Sequence, residues 1–433
     1  MTQHIVVIGA GFAGLTAARR LGKKGAGRVR VTLVDARNHH TFQPLLYQVA
    51  TSVLQPQDVG HSVRGALQDS PGVDFRLGTV AGVDWEARRL RFADGGELAF
   101  DRLVVAAGAV TADYGVPGVA DHAFGLKGLG EAVALRNHVL RLFEVASNAG
   151  AKTPEGTLTF VVAGGGATGV EVSGALTELI DRVLRHDHPD VDVDQARVLL
   201  VEQADGVLGA YKPRSQRYAL DTLRSRGVEV ALGTGIAEVE PGKVRFDDGT
   251  VLATDTVVWA AGVRAHPLAD ALGLEQGPGG RVLVGEDLRV PSHREAFVIG
   301  DIAAVPDGRG GLVPQLAPAA IQQGTFVADE LLGELDGVAQ RTFRYRDKGI
   351  MATIGRHAAV AELPPGVRIR GRLAWVAWLV LHLYFLIGFR NRLSVLLHWA
   401  LSYLTSERGA RAVFTQPPEP LAWPTDEESP SPR

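Results

Sequence analysis

Over most of this chain the apolar residues fall in short runs that end on glycine or a carboxylate. Residues 5–8 (IVVI), 29–35 (VRVTLVD), 103–108 (LVVAAG), 158–163 (LTFVVA), 197–202 (RVLLVE), 257–262 (VVWAAG) and 296–301 (AFVIGD) each read as an apolar strand. Two of these runs lead straight into the same turn and then into a helical pattern: residues 5–18, IVVIGAGFAGLTAA, and residues 158–174, LTFVVAGGGATGVEVSG. One GxGxxG turn says little, but two in strand and helix context predict an α/β chain with two Rossmann-like dinucleotide-binding units. The pattern changes near the C-terminus. Residues 373–389 (LAWVAWLVLHLYFLIGF) carry no formal charge and are bracketed by Arg368, Arg370, Arg372, Arg390 and Arg392, and Leu393, Leu396, Leu397, Ala400, Leu401 and Leu404 then repeat at helical spacing.

The repeated turn indicates its ligands. Gly9 and Gly164 allow the tight turn, Gly11 and Gly166 let the backbone approach a pyrophosphate, and Gly14 and Gly169 let the helix pack on the strand. The free N–H groups of each helix start then meet the anion. A carboxylate for an adenosine ribose should close the second strand, and Asp35 and Glu202 stand there. The longer spacing before Glu202 is taken up by a polar excursion at 185–195, read as an extended helix end and loop. Two different dinucleotides in one chain is the preferred reading. Asp301 ends a strand as the aspartate facing the ribityl chain of FAD does in two-dinucleotide flavoproteins. Its distance from the first turn makes the FAD unit discontinuous: 1–115 with 263–333 for FAD and 116–262 inserted for NADH, then a membrane-anchoring region at 334–415 and a disordered tail at 416–433. Glu202 would repel a 2′-phosphate, since like charges about 4 Å apart cost roughly 4 kcal/mol at an effective dielectric near 20, so NADH is expected over NADPH.

Composition narrows the chemistry. A net charge of −3 gives no reason to propose nucleic-acid binding, and the apolar start runs into the glycine turn rather than a signal cleavage site, so the cytoplasmic side is expected. The chain contains no cysteine, which excludes disulfide, sulfenate and persulfide relays and cysteine-ligated iron–sulfur centres. Electrons must pass directly from flavin to an acceptor. The adjacent His39 and His40 lack a third ligand at metal spacing, and no metal is assigned. Phe42, Leu45, Leu46, Tyr47 and Val49 read as a helix packed on the FAD unit.

For the C-terminal runs, helices lying in the membrane surface are favoured over a buried core or dimer interface and over a spanning hairpin. The uncharged stretch is short for a span and carries His382. Trp375, Trp378, Tyr384, Trp399 and Tyr403 read as interface-seeking rings, and the arginines suit anionic headgroups.

FQPLLYQVAT at 42–51, GGGATGVE at 164–171, VVWAAGVRA at 257–265, GDIA at 300–303 and the C-terminal run together resemble the type II NADH dehydrogenases, over roughly residues 3–415. The resemblance implies a peripheral, single-subunit enzyme with noncovalent FAD that oxidises NADH and reduces a membrane quinone without pumping protons, on the cytoplasmic face of the membrane; a homodimer stays open. By position it places Gly9, Ala10, Gly11, Phe12, Ala13, Gly14, Asp35, Ala36, Val80, Gly108, Asp301, Ala317 and Pro318 at FAD, and Gly164, Gly166, Gly169, Glu202 and Gly262 at NADH. Glu171 falls on a carboxylate near nicotinamide and flavin, for proton supply or nicotinamide placement; the alternative is a charge that complements the helix N-terminus. One departure stands out. Where the family's QLAPAAIQQG-like loop commonly has a glutamine, this chain has Pro318, leaving Gln322 as the candidate polar contact for quinone. The competing functions are a soluble NADH-dependent reductase of a small redox protein and a flavin-bearing redox sensor.

Overall fold

The computed structural model describes residues 2–338, 340–405 and 410–413, so the expected tail at 416–433 lies outside the described residues. Two parallel sheets organise the chain. The first has six strands in the order Arg289–Val290, His293–Val298, Arg102–Val105, Gln3–Ile8, Val29–Asp35, Val73–Leu77, parallel except at the outermost Arg289–Val290 edge. The second orders Val228–Leu232, Arg197–Glu202, Thr159–Ala163 and Thr256–Trp259, all parallel. Their central strands are apolar at almost every position because helices or further strands cover both faces.

Each sheet is closed by helices that the glycine turns launch. The Phe12–Lys24 helix packs on the Ala317–Leu335 helix in the first unit, where a Cβ on Gly324 would lie 2.3 Å from the Ala13 carbonyl oxygen. In the second unit Ala167–Leu179 continues through a π-turn at Ile180–Leu184 and a last turn at Arg185–Asp187. The chain leaves the first sheet through Ala109–Thr111 and returns through Val263–Ala265, and these two segments pair antiparallel.

The segment after Asp35 packs differently from the sequence expectation. A 3-10 turn at Gln43–Leu45 leads into a short helix, Leu46–Ala50, whose buried face meets the Leu129–Ala149 and Ala167–Leu179 helices rather than the core of the first sheet. Periodicity reports that a face is buried, and it carries no information on which unit buries it.

The C-terminal part begins with an antiparallel sheet, Ile350–Thr353, Ala359–Leu363 and Val367–Arg370, on which the Arg372–Phe385 helix packs. The uncharged run does not form one helix. It breaks at residues 386–388, where Gly388 takes φ +86°, and Phe389–Thr405 follows as a second helix. Among the described residues no helix is long and apolar enough to cross a membrane. The outer face of this pair is apolar and open: Leu373, Val380, Tyr384, Phe389, Leu397 and Leu401 are each more than half exposed. Trp378 and Trp399, expected as interface-seeking rings, instead point inward at 1% and 3% exposure, because each sits on the helix face opposite those residues. Burial pushes the His382 imidazole down to about 4, so it adds no charge to the helix pair at neutral pH.

Candidate active site: two glycine cradles and a buried carboxylate

The two phosphate turns are built alike. Gly9 and Gly164 adopt φ +98° and +102°, and a Cβ there would lie 2.3 Å from the Ala106 oxygen or 2.6 Å from the Ala260 oxygen. A Cβ on Gly14 or Gly169 would lie 1.9 Å or 1.8 Å from the carbonyl oxygen of the first glycine of its turn. At Gly11 and Gly166 nothing lies within 4 Å, which is the open approach a pyrophosphate needs. Asp35 accepts from Ala10 N–H at 2.7 Å and Arg37 N–H at 2.8 Å; Glu202 accepts from Gly165 N–H at 2.5 Å and Ala204 N–H at 2.8 Å. Each carboxylate braces its turn from the side where a ribose would lie, so the residues present fit two dinucleotides.

Around the first cradle the structure gathers residues distant in sequence. Ala36 lies exposed just beyond Asp35, and Val80 begins the strand Val80–Asp84. Gly108 (φ +76°) precedes the crossing ribbon, and Gly262 stands at its other end against the Tyr114 hydroxyl. Phe12 opens the first phosphate helix with its ring against His40 (5.1 Å) and Phe42 (5.7 Å), and His40 contacts the Ala10 carbonyl at 2.8 Å. Asp301 sits beneath, with Lys127 Nζ 3.7 Å from its carboxylate and Gln315 donating to its carbonyl at 2.8 Å. The buried Gln323 accepts from Gly300 N–H at 2.6 Å and fixes that corner. Lys127 belongs to no local motif, and Gln323, although inside the QLAPAAIQQG run, was passed over for its neighbour Gln322 because spacing does not show which of two adjacent glutamines turns inward.

Ala317 and Pro318 form the first turn of the Ala317–Leu335 helix, where a missing N–H costs no intrahelical bond. Gln322, expected as a quinone contact, is committed elsewhere. Its amide donates to the Arg346 carbonyl at 2.9 Å and accepts from Arg346 N–H at 3.0 Å, so both its ends tie the helix to the following strand connection.

Glu171 lies on the second phosphate helix, yet its carboxyl faces the interior. It accepts from Thr353 N–H at 3.3 Å, and burial raises it to about 8, against the lowering effect of the Thr353 backbone and side-chain hydrogen bonds. A solvent-exposed partner for the helix N-terminus would be ionised; this group is neutral at pH 7. Three regions meet at it: the second phosphate helix, the Leu46–Ala50 helix and the Ile350–Thr353 strand.

Residues 3–324 match the pyridine nucleotide-disulphide oxidoreductase family, and residues 348–407 match the NDH2 C-terminal domain. Along 96% of its length the chain is 37% identical to the type II NADH:quinone oxidoreductase Ndh of Mycobacterium tuberculosis, covering 91% of that protein. This chain belongs to the type II NADH:quinone oxidoreductase family. Another relative, the type II NADH:quinone oxidoreductase of Staphylococcus aureus, is 32% identical over 83% of the chain and 89% of its own length. Among solved structures, NDH2 from Plasmodium falciparum in complex with NADH superposes with a TM-score of 0.85 at 18% identity, over 96% of this chain and all of that one. The sulfide:quinone oxidoreductase of Aquifex aeolicus shares the fold at a TM-score of 0.68 over 94% of this chain and 96% of that one, at 18% identity. As a type II NADH:quinone oxidoreductase without a single cysteine, this chain uses that common scaffold with no thiol between flavin and acceptor.

Proposed function

We propose that this chain oxidises NADH through noncovalent FAD and delivers two electrons to a membrane quinone, without moving protons across the bilayer. The observation that carries this reading is the placement of the C-terminal helix pair. Its inner face, through Trp378 and Trp399, shares a core with Val170 and Val172 on either side of Glu171, and its outer face presents bare apolar side chains flanked by arginines. FAD, when bound, accepts hydride from NADH and passes the electrons on to quinone. The protein holds the two dinucleotides: residues 9–14 with Asp35 and Asp301 take FAD, and Gly164, Gly166, Gly169 and Glu202 take NADH. Accordingly 1–115 with 263–333 serve FAD, 116–262 serve NADH and 334–415 serve the membrane.

Glu171 holds a proton at its carboxyl beside the reacting rings. Rings also connect the first cradle to the membrane side, from Phe12 through Phe42 to His382, with centroids 5.7 Å and 6.2 Å apart. A quinone would arrive from the side of the first cradle that these rings cover. The outer face lies on anionic lipid at the cytoplasmic surface, with Arg368, Arg370 and Arg390 toward the headgroups.

NADH oxidation by the lipid-reconstituted holoenzyme, with ubiquinone, menaquinone and a small redox protein compared as acceptors, tests the proposal. Quinone-dependent rates well above the oxygen background are expected. Rates equal to that background would overturn it.

A further inference from the structure

Between the C-terminal helix Phe389–Thr405 and Glu171 runs a line of buried hydrogen-bonding groups that meets the carboxyl at Thr353. Trp399 Nε1–H donates to Gln48 Oε1 at 2.7 Å, and Gln48 Nε2 donates to the Tyr47 hydroxyl at 3.0 Å. The Tyr47 hydroxyl lies 3.0 Å from Thr353 Oγ1, and Thr353 in turn donates its backbone N–H to the Glu171 carboxyl at 3.3 Å, while its side chain favours the ionised carboxylate. All four linking side chains are 7% exposed or less.

The line has one direction. An indole N–H only donates, so it fixes the Gln48 carbonyl toward Trp399 and the Gln48 NH2 toward Tyr47. The Tyr47 oxygen therefore accepts from Gln48 and turns its own proton to Thr353. Thr353, accepting there, keeps its own hydroxyl proton available to the Glu171 carboxyl, whose ionised form it favours. Every donor points at the carboxyl, an arrangement that favours its ionised form. Proton conduction is not its use, because neither an amide nor an indole passes a proton on readily.

We infer that Tyr47, Gln48 and Trp399 are positioning residues that act through Thr353 to set the ionisation of Glu171, so that seating of the membrane helix is felt at the hydride-transfer site. This rests on the reading of Glu171 given above. Trp399 stands on the inner face of the same helix whose outer face carries Leu397 and Leu401. Among the described residues the buried Tyr47 and Tyr211 phenols, the latter ahead of the Pro213–Ser225 helix, feel the Glu171 charge, and Tyr403 faces Tyr47; the Ile350–Thr353 strand contributes Thr353, and Glu171 forms no ion pair there. Breaking the line anywhere upstream frees the Thr353 hydroxyl to rotate away and leaves the carboxylate with a weaker partner.

The test uses the lipid-bound holoenzyme. Two readouts follow Glu171: the pH profile of flavin reduction by NADH, and the infrared carbonyl stretch of the protonated carboxyl, identified by its loss in Glu171→Gln. Tyr47→Phe and Trp399→Phe should each move both titrations to higher pH by about half a unit or more. Leu335→Ala, exposed at the far end of the Ala317–Leu335 helix and outside both the line and the lipid face, should move neither. Thr353→Val should match Tyr47→Phe while Thr353→Ser restores the native value, which keeps the inference testable if an aromatic replacement fails to fold. Titrations unmoved in Tyr47→Phe and Thr353→Val, with Glu171→Gln still abolishing them, would overturn the inference and leave the reading of Glu171 standing. A pH profile that survives Glu171→Gln would instead remove Glu171 from the site.

Discussion

Glu171 combines a nucleotide-helix position with an interior environment, and the second property governs its chemistry. Its carboxyl is raised to about 8, so it is protonated at pH 7 and loses its proton as pH rises through that value. Any step that draws on this proton should therefore slow above pH 8. The linkage runs the same way. The raised folded value makes the contribution to stability whole below the unfolded value near 4.5, and that contribution declines as pH climbs toward about 8. Glu171→Gln should thus lower kcat with FAD retained and flatten the fall in Tm between about pH 4.5 and 8; an unchanged kcat would exclude it from the reaction. Glu202 carries a second residue-scale expectation. Its carboxylate braces Gly165 and Ala204 at the mouth of the second cradle, where a 2′-phosphate would meet it. With a repulsion of roughly 4 kcal/mol at stake, kcat/KM should favour NADH over NADPH by orders of magnitude, and Glu202→Gln should narrow the gap. The glycines, Asp35 and Glu202 were legible in the sequence because a turn, its helix and the following strand end are set by local spacing. Thr353 was not, because 182 residues separate it from Glu171 and no periodicity spans such a gap.

At the scale of elements, neighbouring glycines of one turn have opposite tolerances. Gly11 has φ −73° and open space at its Cβ position, whereas a methyl on Gly14 would strike the Gly9 carbonyl oxygen at 1.9 Å. Gly11→Ala should leave the apoprotein's Tm unchanged or slightly raised while weakening FAD binding, since the methyl enters the pyrophosphate's approach. Gly14→Ala should cost about 2 kcal/mol or more, because the helix must move off its strand. Thermal melts with and without added FAD separate the two. The C-terminal helices divide similarly into two faces. Each exposed leucine contributes very roughly 1.5–3 kcal/mol if lipid buries it fully. Leu397→Ala with Leu401→Ala should release the protein from anionic vesicles by tenfold or more at unchanged Tm. Deleting 373–404 would instead strip Trp378 and Trp399 from the core and confuse detachment with unfolding. Sequence spacing revealed the leucine stripe, yet it sorted the aromatic rings by residue type, and type does not decide which side of a helix packs.

At the scale of the molecule, the two units and the C-terminal sheet converge on one carboxyl, which explains why the fold class could be read from repeated local motifs while the centre of the site could not. The proposed function moves electrons without translocating charge. Proteoliposomes oxidising NADH with quinone should build no protonophore-sensitive pH gradient. The crossing ribbon has a further consequence, for the order in which the protein is made. Strand His293–Val298 pairs with Arg102–Val105, so the first sheet keeps an open edge on the ribosome until the entire inserted unit has been synthesised. The inserted unit, with all four strands of its parallel sheet between residues 159 and 259, is free to fold first. Nascent chains arrested after residue 298 should therefore gain protease resistance in the second sheet before the first, and the flavin becomes a late ligand of the growing chain.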